Sequence, residues 1–590
     1  MKHRAGSRCS RWVHEPRTGL QNHDDVTWVW LFWSELPGLW CVCVLVRLPF
    51  RMVLSCESGT REGKPQVEQY GLDELAASAE VVLAGLGPLV AGLARLAGEA
   101  CQAVTLDAME VLVTGQGREL LRGLVQLALD VQAEREVRLP GVTGSDGVPR
   151  TRAEPGHGRP VVTQLGEVRV RRIAYRSGVR GAGSLFPRDA VLNVPPCGYS
   201  WALQRLAEMF CRSGSYEQGH QFVLAATGVS IGKRQLEQIT IAAAADAERF
   251  YQDRDQGAVP AAGEQEPAGE QERGLPPLAL SADGKGVAML PEARRRCAKA
   301  PEQRIKTFEK RAGTGEKKGC KRMAETGAVF DVAVPDGPAR TPEQVMRPEG
   351  GTGEKKPPRA QNRWYACDIT AGRDVTIGKI FDQADRRDPG HLRTWIALVD
   401  GDNYQLGLFQ AAAAARGITL AIVIDFIHVL EYLWKAAWCF HPPRDPAMED
   451  WVIAQGLDIL HGRTGDVISR IQALAAQHPP KPGGEHAKII RKTLSYLTAK
   501  QPWMDYPRAL ANGWPIATGV IEGACRHLVH DRMGITGARW SLPGAQAMLW
   551  LRAINASGDT SAYWAWHITQ ERQRNHLSRY KDSHDLALAA

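Results

Sequence analysis

Residues 515–542, PIATGVIEGACRHLVHDRMGITGARWSL, read as a Pro/Gly-led helix carrying an acid, Glu522, followed by Arg526, His527, His530, Arg532 and Arg539. A carboxylate leading a run of cations suits a site that holds divalent metal beside a phosphate backbone. The plainer alternative is an exposed helix in which Glu522 and Arg526 pair one turn apart. Two upstream segments tilt the choice. SADGKGVAM (281–289) and WIALVDGD (395–402) each read as a strand running into an acid–glycine turn, at Asp283 and Asp400. Two strand acids and a late helical glutamate give hard oxygen donors from three separate elements, the kind of set that a pair of magnesium ions requires.

These residues need a scaffold, and the chain is long enough for several domains. It has 590 residues, a formal charge of +8 and twelve scattered cysteines with no Cys-x-x-Cys pair. That composition fits a multidomain protein with reduced thiols, and excludes a disulfide framework. The positive excess matters for nucleic acid only where it clusters.

Residues 1–51 are unlike the rest: VTWVWLFW and LWCVCVLV are apolar but interrupted by Glu35, Pro37 and Arg47. The interruptions argue against a membrane span. The stretch stays unassigned, as an overextended reading frame with Met52 nearer the true start. Residues 52–150 form a helical N-terminal region, its apolar residues at helical spacing from 70 to 137 and a Gly/Pro-rich loop after it. In 151–251, VVTQLGEVRVRRIAYRS reads as a β-hairpin turning at Leu165–Gly166, with Arg169, Arg171, Arg172 and Arg176 either facing phosphate or lining a solvated strand face. EQGHQFVLAATG and the segment beginning at Lys233, Arg234 and Gln235 then resemble a helix-turn-helix. Residues 252–276 are a polar, Pro/Gly-rich linker.

Residues 277–435 carry strand–helix–strand–helix patterning, that of an α/β core with Asp425 and His428 at its last strand–helix junction. Two basic stretches, 294–322 (with Lys317, Lys318, Lys321 and Arg322) and 347–363, interrupt its strands and read as DNA-contacting insertions; charge runs are otherwise solvated loops. Residues 436–512 are a helical insertion, 513–575 hold the Glu522 helix and a Trp-rich helix pair, and 576–590 are a loose tail.

SADGKGVAM, EKKGCKRMAETGAVF, WIALVDGDNYQL, VIDFIHVLEYLWKAA and ATGVIEGACRHLVHDRMGITGARW resemble the ISKra family of insertion-sequence transposases, within the Mutator-like group of bacterial DDE transposases. The resemblance runs from about residue 70 to residue 575. It implies an RNase H-like mixed sheet with an all-helical insertion, preceded by a mainly helical DNA-binding region. It also implies cleavage and strand transfer at the terminal inverted repeats of an insertion sequence, with Mg2+ or Mn2+, in a pair, and no nucleotide. The partners would be those repeats and target DNA, bound by a homodimer or larger assembly, cytoplasmic and nucleoid-associated, without a membrane. Asp283 matches the family's first acid and Glu522 its last. Asp400 is favoured as the second; Asp425, in an Asp-x-x-His signature with His428, is the supporting or alternative acid. Lys233, Arg234, Lys317, Lys318, Lys321, Arg322, Arg526 and Arg539 are the DNA-contacting candidates. The family's cysteine pairs around the N-terminal hairpin are missing, so zinc is not expected. Their loss keeps open a catalytically inactive DNA-binding remnant or regulator of transposition.

Overall fold

The structure is a computed structural model that describes residues 105–255, 275–294, 321–337, 339–347, 356–442, 444–535 and 537–581, with short strands in the first 57 residues and four isolated positions before residue 92. Most of the 252–276 linker and of both basic stretches, including Lys317 and Lys318, lies outside the described residues, as does most of the helical patterning expected before residue 105. Met1–Leu72 and Asp73–Ala590 are separate compact units. In the first, β1 (Leu31–Phe32), β2 (Val42–Leu48) and β3 (Arg51–Glu57) pair antiparallel in that order. No helix among the described residues is long and apolar enough to cross a membrane.

The first helix of the second unit whose length is described is the long Leu106–Glu134, capped by the Thr105 hydroxyl. Two short strands, β4 (Val142–Thr143) and β5 (Pro149–Arg150), precede the hairpin of β6 (Arg152–Thr163) and β7 (Gly166–Arg176). Its turn falls where the sequence places it, but β6 starts inside the Gly/Pro-rich stretch expected to be loop. A register shift between Glu154 and His157 absorbs Pro155 and Gly156, so the ladder continues past them. The hairpin arginines are mostly committed within the protein. Arg171 bonds Asp130 and Glu134 of the long helix, Arg172 pairs with Asp189 and lies over Phe186, and Arg176 pairs with Glu154. Helices Trp201–Ser213, Tyr216–Thr227 and Lys233–Ala243 follow, closing around Leu203, Val223, Ile231 and Leu236.

The core is a five-stranded mixed sheet: β8 (Leu278–Ala288), β9 (Lys321–Ala333), β10 (Arg359–Asp368), β11 (Trp395–Val399) and β12 (Leu420–Ile424), in the order β10-β9-β8-β11-β12. β8, β9 and β10 are antiparallel; β11 runs parallel to β8 and to β12. The unbroken apolar run Trp395–Val399 is buried throughout, as a central parallel strand covered on both faces must be. Successive residues of β9 show the two faces. Gly327 lies under Thr376 and Ile380 of the Arg373–Arg387 helix, where an added Cβ would come within 2.5 Å of the Ile380 side chain. Thr326 points the other way, accepting from the Cys367 thiol.

Beyond β12 the helices Phe426–Phe440, Ala447–Leu460, Thr464–Gln477 and Glu485–Lys500 make the insertion, and Leu542–Ala556 packs on β10. Tyr580, in the tail expected to be loose, is buried with Leu139, Val142, Tyr175 and Leu185, and residues 582–590 lie outside the described residues.

Trp395 also fixes a buried acid. Burial opposes ionisation of Asp388, but the Trp395 indole N–H at 2.8 Å and the Leu392 and Arg393 amides outweigh it and hold the carboxyl below its ordinary value. A depressed carboxyl stabilises the fold above its unfolded pKa of about 3.9 and loses that contribution as pH falls. Asp388→Asn is therefore expected to cost about 1–3 kcal/mol at pH 7. The difference from wild type should shrink below about pH 4, as read from urea denaturation midpoints at neutral pH and at pH ~3.

Candidate metal-binding active site

Parallel pairing brings the sequence acids together. β8 and β11 pair Ser281 with Leu398, and carrying that register two residues on sets Asp400 level with Asp283. β11 and β12 pair Val399 with Ile424, so one further residue sets Asp425 level with Asp400. Neighbouring strands are about 4.8 Å apart, so three acids from distant parts of the chain end on one row.

Each acid is held by its own local structure. Asp283 is half-buried within β8, opposite Thr326, and its Oδ1 accepts the Gly284 amide at 2.7 Å. Cys525 lies against it. Burial, and after it the Asp283 carboxylate, push the Cys525 thiol up, leaving it protonated and able to donate to Asp283. Asp400 is exposed past the end of β11, where Gly401 takes a left-handed φ of +92° and lets the Asp402 amide return to Asp400 Oδ1 at 2.9 Å. Two side chains that the sequence reading did not single out hold this turn. The Tyr496 phenol donates to the Asp400 carbonyl at 2.9 Å, and Arg373 bridges Glu325 at 3.0 Å and Asp402 at 3.3 Å.

Asp425 is 2% exposed and caps the Phe426–Phe440 helix, its Oδ1 taking the Ile427 amide at 2.9 Å. Its Oδ2 lies 2.5 Å from the Thr518 hydroxyl, and the same hydroxyl is 3.1 Å from Glu522 Oε1. Glu522 is itself exposed, on the short helix Gly519–Ala524. His428 bonds none of these acids: its ring meets Tyr432 and Tyr496 edge-on, and its Nδ1 is 3.8 Å from Glu431.

The helix expected through this region is interrupted. Cys525–His530 is a π-helical turn packed against β8, an insertion that is frequent at functional sites. Glu522 and Arg526 form no ion pair among the described residues, so the simple surface-helix alternative is not what the chain adopts. Arg526 and Arg539 are exposed, and Trp540 pairs beside Met289 at the far end of β8, placing Arg539 along that strand. Arg532, counted in the sequence among the site's cations, is instead buried between the Tyr216 and Trp540 rings, its Nε donating to the Cys211 carbonyl. Lys321 and Arg322 open β9 opposite Ala288 and Val287, away from the acid row, and Arg322 donates to the Ala293 carbonyl at 2.7 Å. Lys233 and Arg234 are exposed at the start of their helix, distant in sequence from the acids, with Lys233 bonded to Glu217 at 2.7 Å.

Several of the protein's other acids are charge-compensated. Asp130, Asp189, Asp246, Asp331, Asp458 and Asp559 all contact arginine. Asp283, Asp400, Asp425 and Glu522 form no ion pair among the described residues, although Arg373 and Lys500 lie near Asp400, bonded to Glu325 and Asp402 and to Asn403. Exposed, uncompensated carboxylate oxygens are hard donors suited to Mg2+ or Mn2+. The oxygens are not drawn together as in a closed single-ion site. Among the described residues the group whose ligand atoms all lie within 4.8 Å of one another is Asp246, His567 and Glu571. There Arg574 contacts both carboxylates and already supplies the positive charge. A more open row is compatible with two ions about 3.5–4 Å apart. No protein-family model matches the sequence, and a search of curated proteins finds none similar to it.

The charge imbalance predicts a response to divalent ions. Millimolar Mn2+ should raise the thermal midpoint of the full chain, since a ligand bound only by the folded state stabilises it. Asp283→Asn and Asp400→Asn should abolish that rise while leaving the metal-free midpoint equal or higher, because each removes a like charge. Asp246→Asn should instead lower the metal-free midpoint and keep the rise.

Proposed function

We propose that the chain is a DNA transposase of DDE type, acting on phosphodiester bonds through Asp283, Asp400 and Glu522. The observation that carries this reading is a row of acids without ion pairs on β8 and just past β11, with Glu522, on a helix that follows an all-helical insertion, linked to it through Thr518 and Asp425, over a sheet ordered β10-β9-β8-β11-β12. That strand order, with the first three strands antiparallel and the last two parallel to the first, supports an RNase H-like core. The motif resemblance supports the narrower assignment to the ISKra family.

The chain's own residues divide the work. Asp283, held by the β8 ladder, and Asp400, held by the Gly401 turn, would bind metal from adjacent strands, and Glu522 from the facing helix. Divalent ions bound there would activate the attacking oxygen and stabilise charge on the leaving oxygen. Arg526 and Arg539, exposed and without an ion pair among the described residues, would hold DNA phosphates. The exposed Lys233 and Arg234 begin the second helix of a helix-turn-helix-like pair, a position from which side chains enter a groove. A homodimer or larger assembly would hold two element ends, acting at the nucleoid.

A non-catalytic DNA-binding remnant or regulator is the second reading, favoured by the missing cysteine pairs of the N-terminal region. The test is cleavage and joining of labelled DNA carrying the element's ends, with Mg2+, by wild type and Glu522→Gln. The transposase reading expects joined products, reduced at least ~100-fold by the substitution, on the scale of losing a group that acts on developing charge. Binding without cleavage by the wild type would select the remnant. Cleavage without joining, on DNA lacking the ends as well, would select a nuclease.

A further inference from the structure

We infer that Thr518 is a positioning residue of this centre, the middle of a buried strut that runs from the end of β11 through Asp425 to Glu522. The inference rests on the metal-dependent reading above. Thr518 stands at the N-cap of the Gly519–Ala524 helix, where a threonine hydroxyl ordinarily accepts an amide of the first turn, yet it makes no such bond. Its hydroxyl lies between two carboxylates, 2.5 Å from Asp425 Oδ2 and 3.1 Å from Glu522 Oε1. A hydroxyl carries one hydrogen, which the two carboxylates share, Asp425 taking the stronger arm at the shorter distance and Glu522 the weaker. Both Thr518 and Asp425 are buried, so solvent does not compete for that hydrogen.

Asp425 is in turn fully engaged. Its Oδ1 accepts the Ile427 amide at 2.9 Å, and its own amide donates at 2.8 Å to the carbonyl of Val399, the residue before Asp400. The Phe426 amide donates at 2.9 Å to the Ile516 carbonyl, tying the same junction to the chain two residues before Thr518. With a bond on each carboxylate oxygen and only 2% of its surface exposed, Asp425 is cast as a support, and the exposed Asp400 as the ligand. The strut sets the spacing between Asp400, on a strand end, and Glu522, on a helix reached only after the whole insertion. Glu522 contributes Oε1 to the strut, and its other oxygen has no hydrogen-bond partner among the described residues.

The test compares Thr518→Val, which keeps the shape and loses the hydroxyl, with Thr518→Ser, which keeps the hydroxyl. Mn2+ binding to the full chain is read by electron paramagnetic resonance without DNA, and thermal midpoints report folding. Removing a group that orients a ligand is expected to weaken Mn2+ binding about 10–100-fold, with serine restoring it; the serine midpoint stays close to wild type and the valine midpoint falls, because a buried carboxylate loses its donor. Where Thr518→Val does not fold, Thr518→Ala is read in the same way. Unchanged Mn2+ affinity in the hydroxyl-free variant, with the wild type binding normally, overturns the strut alone. Equal losses in valine and serine variants also overturn it, since they would point to packing of the γ-methyl. A wild type that binds no Mn2+ overturns the metal-dependent reading and the strut with it.

Discussion

Parallel pairing of β8, β11 and β12 forces Asp283, Asp400 and Asp425 to end side by side, and the sheet's hydrogen bonds cannot be formed without bringing those charges together. Elsewhere arginine compensates several buried and half-buried acids, as Arg254 does Asp559 and Arg393 does Asp331. On this row no arginine pairs with the carboxylates among the described residues. An uncompensated cluster opposes folding through like-charge repulsion, so its presence on well-packed strands is informative about what the site binds. The rest of the core is arranged to tolerate and aim it.

The supports are graded by how each acid enters the row. Asp283 is part of a ladder and needs little beyond its strand. Asp400 is on a turn and needs anchors from both sides: Arg373 from the helix after β10, and Tyr496 from the insertion. The Tyr496 ring is stacked on Tyr432 at 4.0 Å. Burial, and then neighbouring Tyr432, Asp400 and Asp425, push its phenol up, so it remains a donor across the physiological range. The insertion is thus mechanically joined to the acid row and is not merely appended to it. Glu522 arrives on a helix of under two turns that continues as a π turn, geometry too short to be rigid alone, and depends on contacts with β8 and with Asp425.

Much of this arrangement is visible in the sequence because it is local. The strand at Trp395–Val399 is an unbroken apolar run closed by Asp-Gly, and the insertion helices have clear helical spacing. The α/β class and the strand–helix–strand order follow from those patterns. What cannot be read is long-range. Arg532 looks like one more cation beside Glu522, and only the fold reveals Tyr216 and Trp540 around it. Arg171 and Arg172 look like a phosphate-facing strand because Asp130, Glu134 and Asp189 are far away in the chain. Arg373 carries no local signal at all. Thr518 had one, its position four residues before Glu522, but an N-cap threonine is the ordinary reading of that spacing, and the structure departs from it.

The account stands on the claim that Asp283, Asp400 and Glu522 are left without cations because they hold metal. Anomalous diffraction from crystals of the full chain soaked in Mn2+ tests it most directly. The account predicts manganese peaks bounded by those three carboxylates, and none at Asp246, His567 and Glu571, where Arg574 already sits. Manganese confined to that second group, or absent from the acid row at millimolar concentration, would contradict it.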